Sequence, residues 1–287
     1  MSARFGPAGN SDSFSKLHKS SADAPGWIAS LGLDCYEYQC GKGVHVGEET
    51  ARTVGERARA AGIALSLHAP YFINLANPAP ESLQKTIGYI AAACRVARWM
   101  GAERVVIHSG ALMKRTRREA LEIAIRSLRD VVAACDDQGF GDIVLCPETM
   151  GKINQLGDLE EVLELCTVDE RLLPCIDFGH LYARSLGADD GEEAFERMLC
   201  RVEAVLGRER ASRFHSHFSH IEFTPGGGEK CHRTFADDGG YGPDWAPLAA
   251  RVAARGWSPT FICESAGTQA EDALEMKRIY REYAGVT

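Results

Sequence analysis

Six residues of the kinds that hold metal ions recur at one position in a repeating pattern: His68, His108, Glu148, Asp177, His217 and Glu264. Each lies at or near the end of a short apolar run, namely IALSLH (63–68), RVVIH (104–108), DIVLCPE (142–148), LLPCID (172–177), FHSHFS (214–219) and TFICE (260–264). A lone histidine ending such a run is ordinarily a hydrogen-bonded structural residue. Six in succession are different, because polar groups crowded together at buried positions need compensation. Imidazole with carboxylate suits zinc, manganese or iron, and a bridging carboxylate can hold two such ions. Bound ions of this kind lower the pKa of water to about 7 and clamp the attacking and leaving oxygens of a phosphate. Glu148 or Glu264 could orient that water or take its proton. Hydrolysis of a phosphate ester fits, whereas a serine triad lacks its GxSxG elbow.

Two further histidines extend the set. His180 lies three residues after Asp177 in CIDFGH, and His232, in GEKCH, falls on the long loop expected after the seventh strand. His215 shares a strand face with His217 by the period-two rule and is expected to point into the interior. His18, His45 and His220 carry no evident role, and Glu222, Asp237 and Asp238 read as solvent-facing.

The elements that must position these residues alternate along the chain. With ARFG (3–6) and YEYQ (36–39), the apolar runs number eight, separated by helical patterns such as ETARTVGERARAAG and REALEIAIRSLRDVVAACDDQG that close on glycine. Strands joined by helices run parallel, and their near-continuous apolar character says that both faces are covered. Eight such units predict an α/β fold, a (β/α)8 TIM barrel, as a single domain over residues 1–287 with the six residues at its carboxyl-terminal mouth. No GxGxxG follows a strand and no GxxxxGK[ST] occurs; GGG at 226–228 reads as a flexible turn.

Composition bounds the remaining possibilities. No stretch approaches about 20 apolar residues, and MSARFGPAGNSDSF lacks an apolar secretory core, so a cytoplasmic, non-membrane protein is expected. Ten cysteines without a CxxC pair read as reduced thiols. The net charge of −8 argues mildly against indiscriminate nucleic-acid binding but leaves room for a local basic patch; KRTRR at 114–118 reads first as a solvated helix start and second as such a patch.

Taken together, LHAPYFINLANP, VVIHSG, LCPETMG, CIDFGH, HFSHIEFTPGGGEKCH and FICE, over roughly residues 60–285, resemble the endonuclease IV family of apurinic/apyrimidinic endonucleases. The resemblance implies a zinc-dependent TIM barrel that cleaves double-stranded DNA on the 5′ side of abasic sites in base-excision repair, expected as a monomer. It implies that His68, His108 and Glu148 hold one zinc, that Glu148 bridges to a second held by Asp177, His217 and Glu264, and that His180 and His232 serve a third. The family pattern places an aspartate two residues before the last histidine; here that position is Lys230, which leaves two or three ions open, with Glu229 as another carboxylate for the third, Mn2+ as an alternative metal, and a phosphate contact as another role for Lys230. Tyr71 and Phe72 match the loop that enters DNA at the abasic position, with Asn74 shaping that loop, and Lys42 and Arg115 are candidate backbone contacts. Two other readings stay open: a xylose-isomerase-like sugar isomerase or epimerase using Glu148, Asp177, His217 and Glu264 around one ion, and a non-catalytic binding protein on the same barrel.

Overall fold

A computed structural model describes residues 2–285, so Met1, Val286 and Thr287 of the expected 1–287 domain lie outside the described residues. The apolar runs become strands β1 (Arg4–Pro7), β2 (Cys35–Gln39), β3 (Ala64–His68), β4 (Arg104–His108), β5 (Val144–Glu148), β6 (Cys175–Asp177) and β7 (His215–Phe218), then, after a hairpin of β8 (His220–Thr224) and β9 (Gly228–Arg233), β10 (Thr260–Cys263). Between them run α1 (Asp12–Leu17), α2 (Ala24–Ser30), α3 (Glu48–Ala61), α4 (Pro80–Met100), α5 (Arg117–Asp137), α6 (Leu159–Cys166), α7 (Phe178–Arg184), α8 (Gly191–Ala211), α9 (Trp245–Arg255) and α10 (Gln269–Ala284).

Eight of the strands form one parallel sheet in the order β1-β10-β7-β6-β5-β4-β3-β2. The sheet curls until its edges meet: Ala8 bridges Glu37 in parallel, Asp34 N donates to Phe5 O at 2.8 Å, and Gly9 N donates to Glu37 O at 2.9 Å. A closed parallel sheet ringed by helices is the (β/α)8 TIM barrel, and closure removes the unpaired edges that an open sheet must protect.

Local signals fix where the long helices start and stop. Thr116 and Glu119 form a reciprocal capping box at the start of α5, and Gly62 and Gly101 end α3 and α4 in the left-handed conformation that glycine adopts without steric cost. The outward strand faces pack on the helices through aromatics such as Phe5, Trp245 and Phe261, whose rings lie 4.8–6.0 Å apart. The barrel interior is more polar, with Glu37, Ser66, His215 and His217 all buried. Among the described residues no helix is long and apolar enough to cross a membrane. All ten cysteines are free.

The structure corrects three local expectations. His232 stands on β9 of the antiparallel hairpin, not on a loop. Glu264 falls one residue beyond β10, and His217 one residue before the end of β7. A β-bulge at Lys230 breaks the alternation of GEKCHR (228–233), which hides β9 from a period-two reading.

Candidate metal centre

Parallel strands in register bring the six strand-end residues to one mouth. Glu148 is at its centre and divides its two oxygens between two groups. Oε2 lies 3.2 Å from His68 Nε2 and 3.3 Å from His108 Nε2. Oε1 lies 2.8 Å from His217 Nδ1, which is itself 3.6 Å from Glu264 Oε1. Glu148, Asp177, His217 and Glu264 offer ligand atoms within 4.8 Å of one another, as do His68, Glu148 and His217, and His180, His232 and Glu264.

Asp177 supplies a direct test of whether the site suits a cation. Its Oδ1 caps α7 by accepting from His180 N at 2.8 Å, while its buried Oδ2 makes no hydrogen bond and has only an off-line contact with His180 Nδ1 at 3.3 Å. A buried carboxylate oxygen left unsatisfied is costly, and one aimed at neighbouring imidazoles and carboxylates is the expected trace of a cation site. The donor set of imidazole nitrogens and carboxylate oxygens suits zinc or manganese.

Electrostatics say the same. Burial alone would push the Glu148 carboxyl up, but His217, His108 and His68 outweigh it and hold the group well below the usual carboxylate range. His180, which burial would lower, is pushed up to about 9 by Asp177 and Glu229. Burial also opposes the protonation of His217, yet Cys175 and the surrounding carboxylates carry it well above its ordinary value. Glu148 and the imidazoles of His180 and His217 thus favour each other's charged forms, while burial raises Asp177 towards its neutral form, a strain that a divalent cation would relieve.

The hairpin settles how Lys230 is placed. Glu222 pairs with Cys231 but Phe223 pairs with Glu229, so Lys230 is the extra residue of a β-bulge. Its ammonium turns outward to Glu222 Oε1 at 2.5 Å and does not line the mouth. The same bulge re-aims Glu229 inward, with Oε2 3.5 Å from His180 Nε2 and Oε1 4.0 Å from His232 Nε2. Were an ion held by His180, His232 and Glu229, Glu229→Ala would lower the metal content of the purified chain by one ion and Lys230→Ala would leave it unchanged. Elemental analysis of the two variants checks this, and equal loss in both would refute the assignment.

The mouth opens into a cavity of about 630 Å³ lined by residues including His108, Lys152, Gln155, His232 and Gln269. Tyr71 overhangs it, stacked on His108 at 5.4 Å with its hydroxyl donating to Gln39 Oε1 at 2.9 Å. Phe72 is 53% exposed and rests on Tyr89. Asn74 turns inward, its Oδ1 accepting from Ala76 N and Ala111 N at 3.0 Å each, which ties its loop to the one after β4. Sequence reasoning gave no role to Glu37, which lies directly below His217. A charged residue inside a strand covered on both faces was the available signal.

The fold and the site together define a (β/α)8 barrel with clustered imidazoles and carboxylates at its carboxyl-terminal mouth. The pattern of the xylose isomerase-like TIM barrel family matches residues 25–282, and the chain belongs to that family. An uncharacterized protein of Methanocaldococcus jannaschii is 32% identical over 250 residues, 87% of this chain and 88% of the relative. The probable endonuclease 4 of Mycoplasma pneumoniae is 28% identical over 139 residues, 47% of each chain, so the match spans about half of that relative. Among solved structures, a D-tagatose 3-epimerase-like protein superimposes with a TM-score of 0.71 at 19% identity, over 98% of this chain and 97% of the other. Endonuclease IV of Thermus thermophilus does so with a TM-score of 0.63 at 19% identity, over 98% and 99%. At such identities the superpositions speak for the fold alone.

Proposed function

We propose that the protein is a metal-dependent phosphodiesterase that cuts double-stranded DNA on the 5′ side of abasic sites. One observation carries the reading: Glu148 presents one oxygen to His68 and His108 and the other to His217, an arrangement with ligands on both sides that a single ion does not need. In this reading His68, His108 and Glu148 hold one zinc; Glu148, Asp177, His217 and Glu264 hold a second; His180, His232 and Glu229 hold a third. Ions so held would supply Lewis-acid polarisation of a phosphate and a water acidic enough to attack at neutral pH.

The chain's own groups do the rest. Glu264, at the cavity edge with Oε2 3.9 Å from His232 Nε2, is placed to accept a proton. Tyr71 and Phe72 offer exposed aromatic faces for bases beside a missing one, where stacking contributes about 1–3 kcal/mol per base. Lys42, Lys114, Arg115 and Lys152 follow β2, β4 and β5 on the mouth side, giving local positive charge despite the net charge of −8.

The test is incubation of the purified chain with a duplex carrying one abasic analogue, under zinc or manganese, with and without chelator, alongside elemental analysis. A cut leaving a 3′-hydroxyl, abolished by chelator, with two or three ions per chain, is expected. An intact duplex under both metals would defeat the reading. One ion per chain with turnover of a ketose would instead favour the epimerase reading, for which the compact Glu148, Asp177, His217 and Glu264 group speaks.

A further inference from the structure

The imidazoles of the cluster are not all held the same way. His68 Nδ1 lies 2.7 Å from Ala69 O, His108 Nδ1 3.0 Å from Tyr71 O, and His180 Nδ1 2.8 Å from Thr149 O. A carbonyl can only accept, so in these three rings Nδ1 carries the hydrogen and Nε2 faces the carboxylates. His217 is reversed. Its Nδ1 faces the mouth, 2.8 Å from Glu148 Oε1, and its Nε2 points down into the barrel, 3.0 Å from Glu37 Oε1.

We propose that Glu37 is a positioning residue whose buried carboxylate keeps the hydrogen of His217 on Nε2 and so presents the Nδ1 lone pair to a metal ion. The inference rests on the metal reading above and extends it to a residue that touches neither ion nor substrate. Glu37 does by its charge, 3.0 Å from His217 Nε2, what the three carbonyls do for their rings by hydrogen bonds, the general means by which outer partners fix ligand tautomer and direction.

Glu37 is itself held by donors. Its Oε2 accepts from Ser66 Oγ at 2.9 Å and faces His215 Nε2 at 2.8 Å, and its Oε1 accepts from Gln39 Nε2 at 3.1 Å. The other nitrogen of His215 lies 3.5 Å from Arg104 Nη1, which can only donate, so the hydrogen of His215 sits on Nε2. The approach to His217 Nε2 is off the ideal hydrogen-bond line, which makes the attraction chiefly electrostatic. Through Gln39, whose Oε1 accepts from the Tyr71 hydroxyl, the buried carboxylate is also tied to the aromatic overhanging the mouth.

Glu37→Gln keeps size and shape but adds two donors. Turned one way its NH2 meets Nε2 of His217, and turned the other way it meets Nε2 of His215, and in either case the negative charge that holds the hydrogen of His217 on Nε2 is gone. Titration of the full chain with Co2+ and with Zn2+ should show Glu37→Gln binding about 10–100-fold more weakly than the unmutated protein, with an altered cobalt absorption spectrum. Ser66→Ala, which removes a donor to Glu37 without touching His217, should lose far less. In 15N-histidine NMR of the zinc-loaded unmutated chain, His217 should appear as the Nε2–H form with Nδ1 shifted by the metal. A folded Glu37→Gln protein with unchanged affinity and spectrum overturns the proposal. So does zinc bound through Nε2 of His217, a result that needs no variant to fold. Uptake of neither ion by the unmutated chain would instead bring down the metal reading, and this inference with it.

Discussion

Glu148→Ala is expected to abolish metal uptake at the two sites it would join, leaving at most one ion per chain, to abolish chelator-sensitive activity with it, and to destabilise the metal-free protein. Its carboxylate is the common neighbour of His68, His108 and His217. Removing one partner from a buried charged set leaves the others uncompensated, which costs about 3–5 kcal/mol. The activity loss should be on the order of 10³-fold or more, well beyond the roughly 10–100-fold that an outer partner costs. Glu148→Gln keeps the packing, so its stability should fall less while its metal content falls as far. The pH dependence has a definite sign. Because the Glu148 carboxyl is held well below its ordinary range, its contribution is present at neutral pH and is lost as pH falls through that low folded-state value. The stability gap between wild type and Glu148→Ala, measured by thermal unfolding in chelator, should narrow in acid. Wild-type metal content in Glu148→Ala would remove the carboxylate from the centre of the site.

Much of this could be read from the sequence because the barrel is built from local units. Apolar runs, glycine-closed helices and strand-end histidines are patterns within a few residues, and parallel order then carries the strand ends to one mouth without further information. The failures share a cause. Glu37 stands out locally only as a charge between Tyr36 and Tyr38 in a covered strand, and its partners His215 and His217 are some 180 residues away, so nothing local says what it serves. Similarly, Glu229 and Lys230 exchange faces because of a single bulge, and register within a hairpin is decided by pairing rather than by residue type. A position-by-position comparison with a family pattern puts Lys230 where a carboxylate belongs. The folded hairpin instead turns Glu229 towards His180 and His232.

The seam where the barrel closes is the place where a single methyl group should do most damage to the fold. Gly6 on β1 lies against β2 so closely that a Cβ built there would stand 1.8 Å from Cys35 O and 2.5 Å from Cys35 C. Those atoms are backbone held in the sheet, so they cannot swing aside as a side-chain tip would. Overpacking a core ordinarily costs about 1–3 kcal/mol, and a clash with fixed backbone belongs at or above the top of that range. Gly6→Ala should therefore lower the thermal midpoint by many degrees or prevent folding, and Gly26→Ala provides the contrast. Gly26 lies inside α2 with nothing within 4 Å of its added Cβ, so alanine there should be neutral or stabilising by up to about 1 kcal/mol. The effect of Gly6→Ala should reach the metal centre as well, since β2 carries Glu37 and Gln39 against β7 with His217, and prying β1 from β2 disturbs that alignment. If Gly6→Ala unfolds at the wild-type temperature and binds cobalt as tightly, the two strands are not packed as closely as the structure places them.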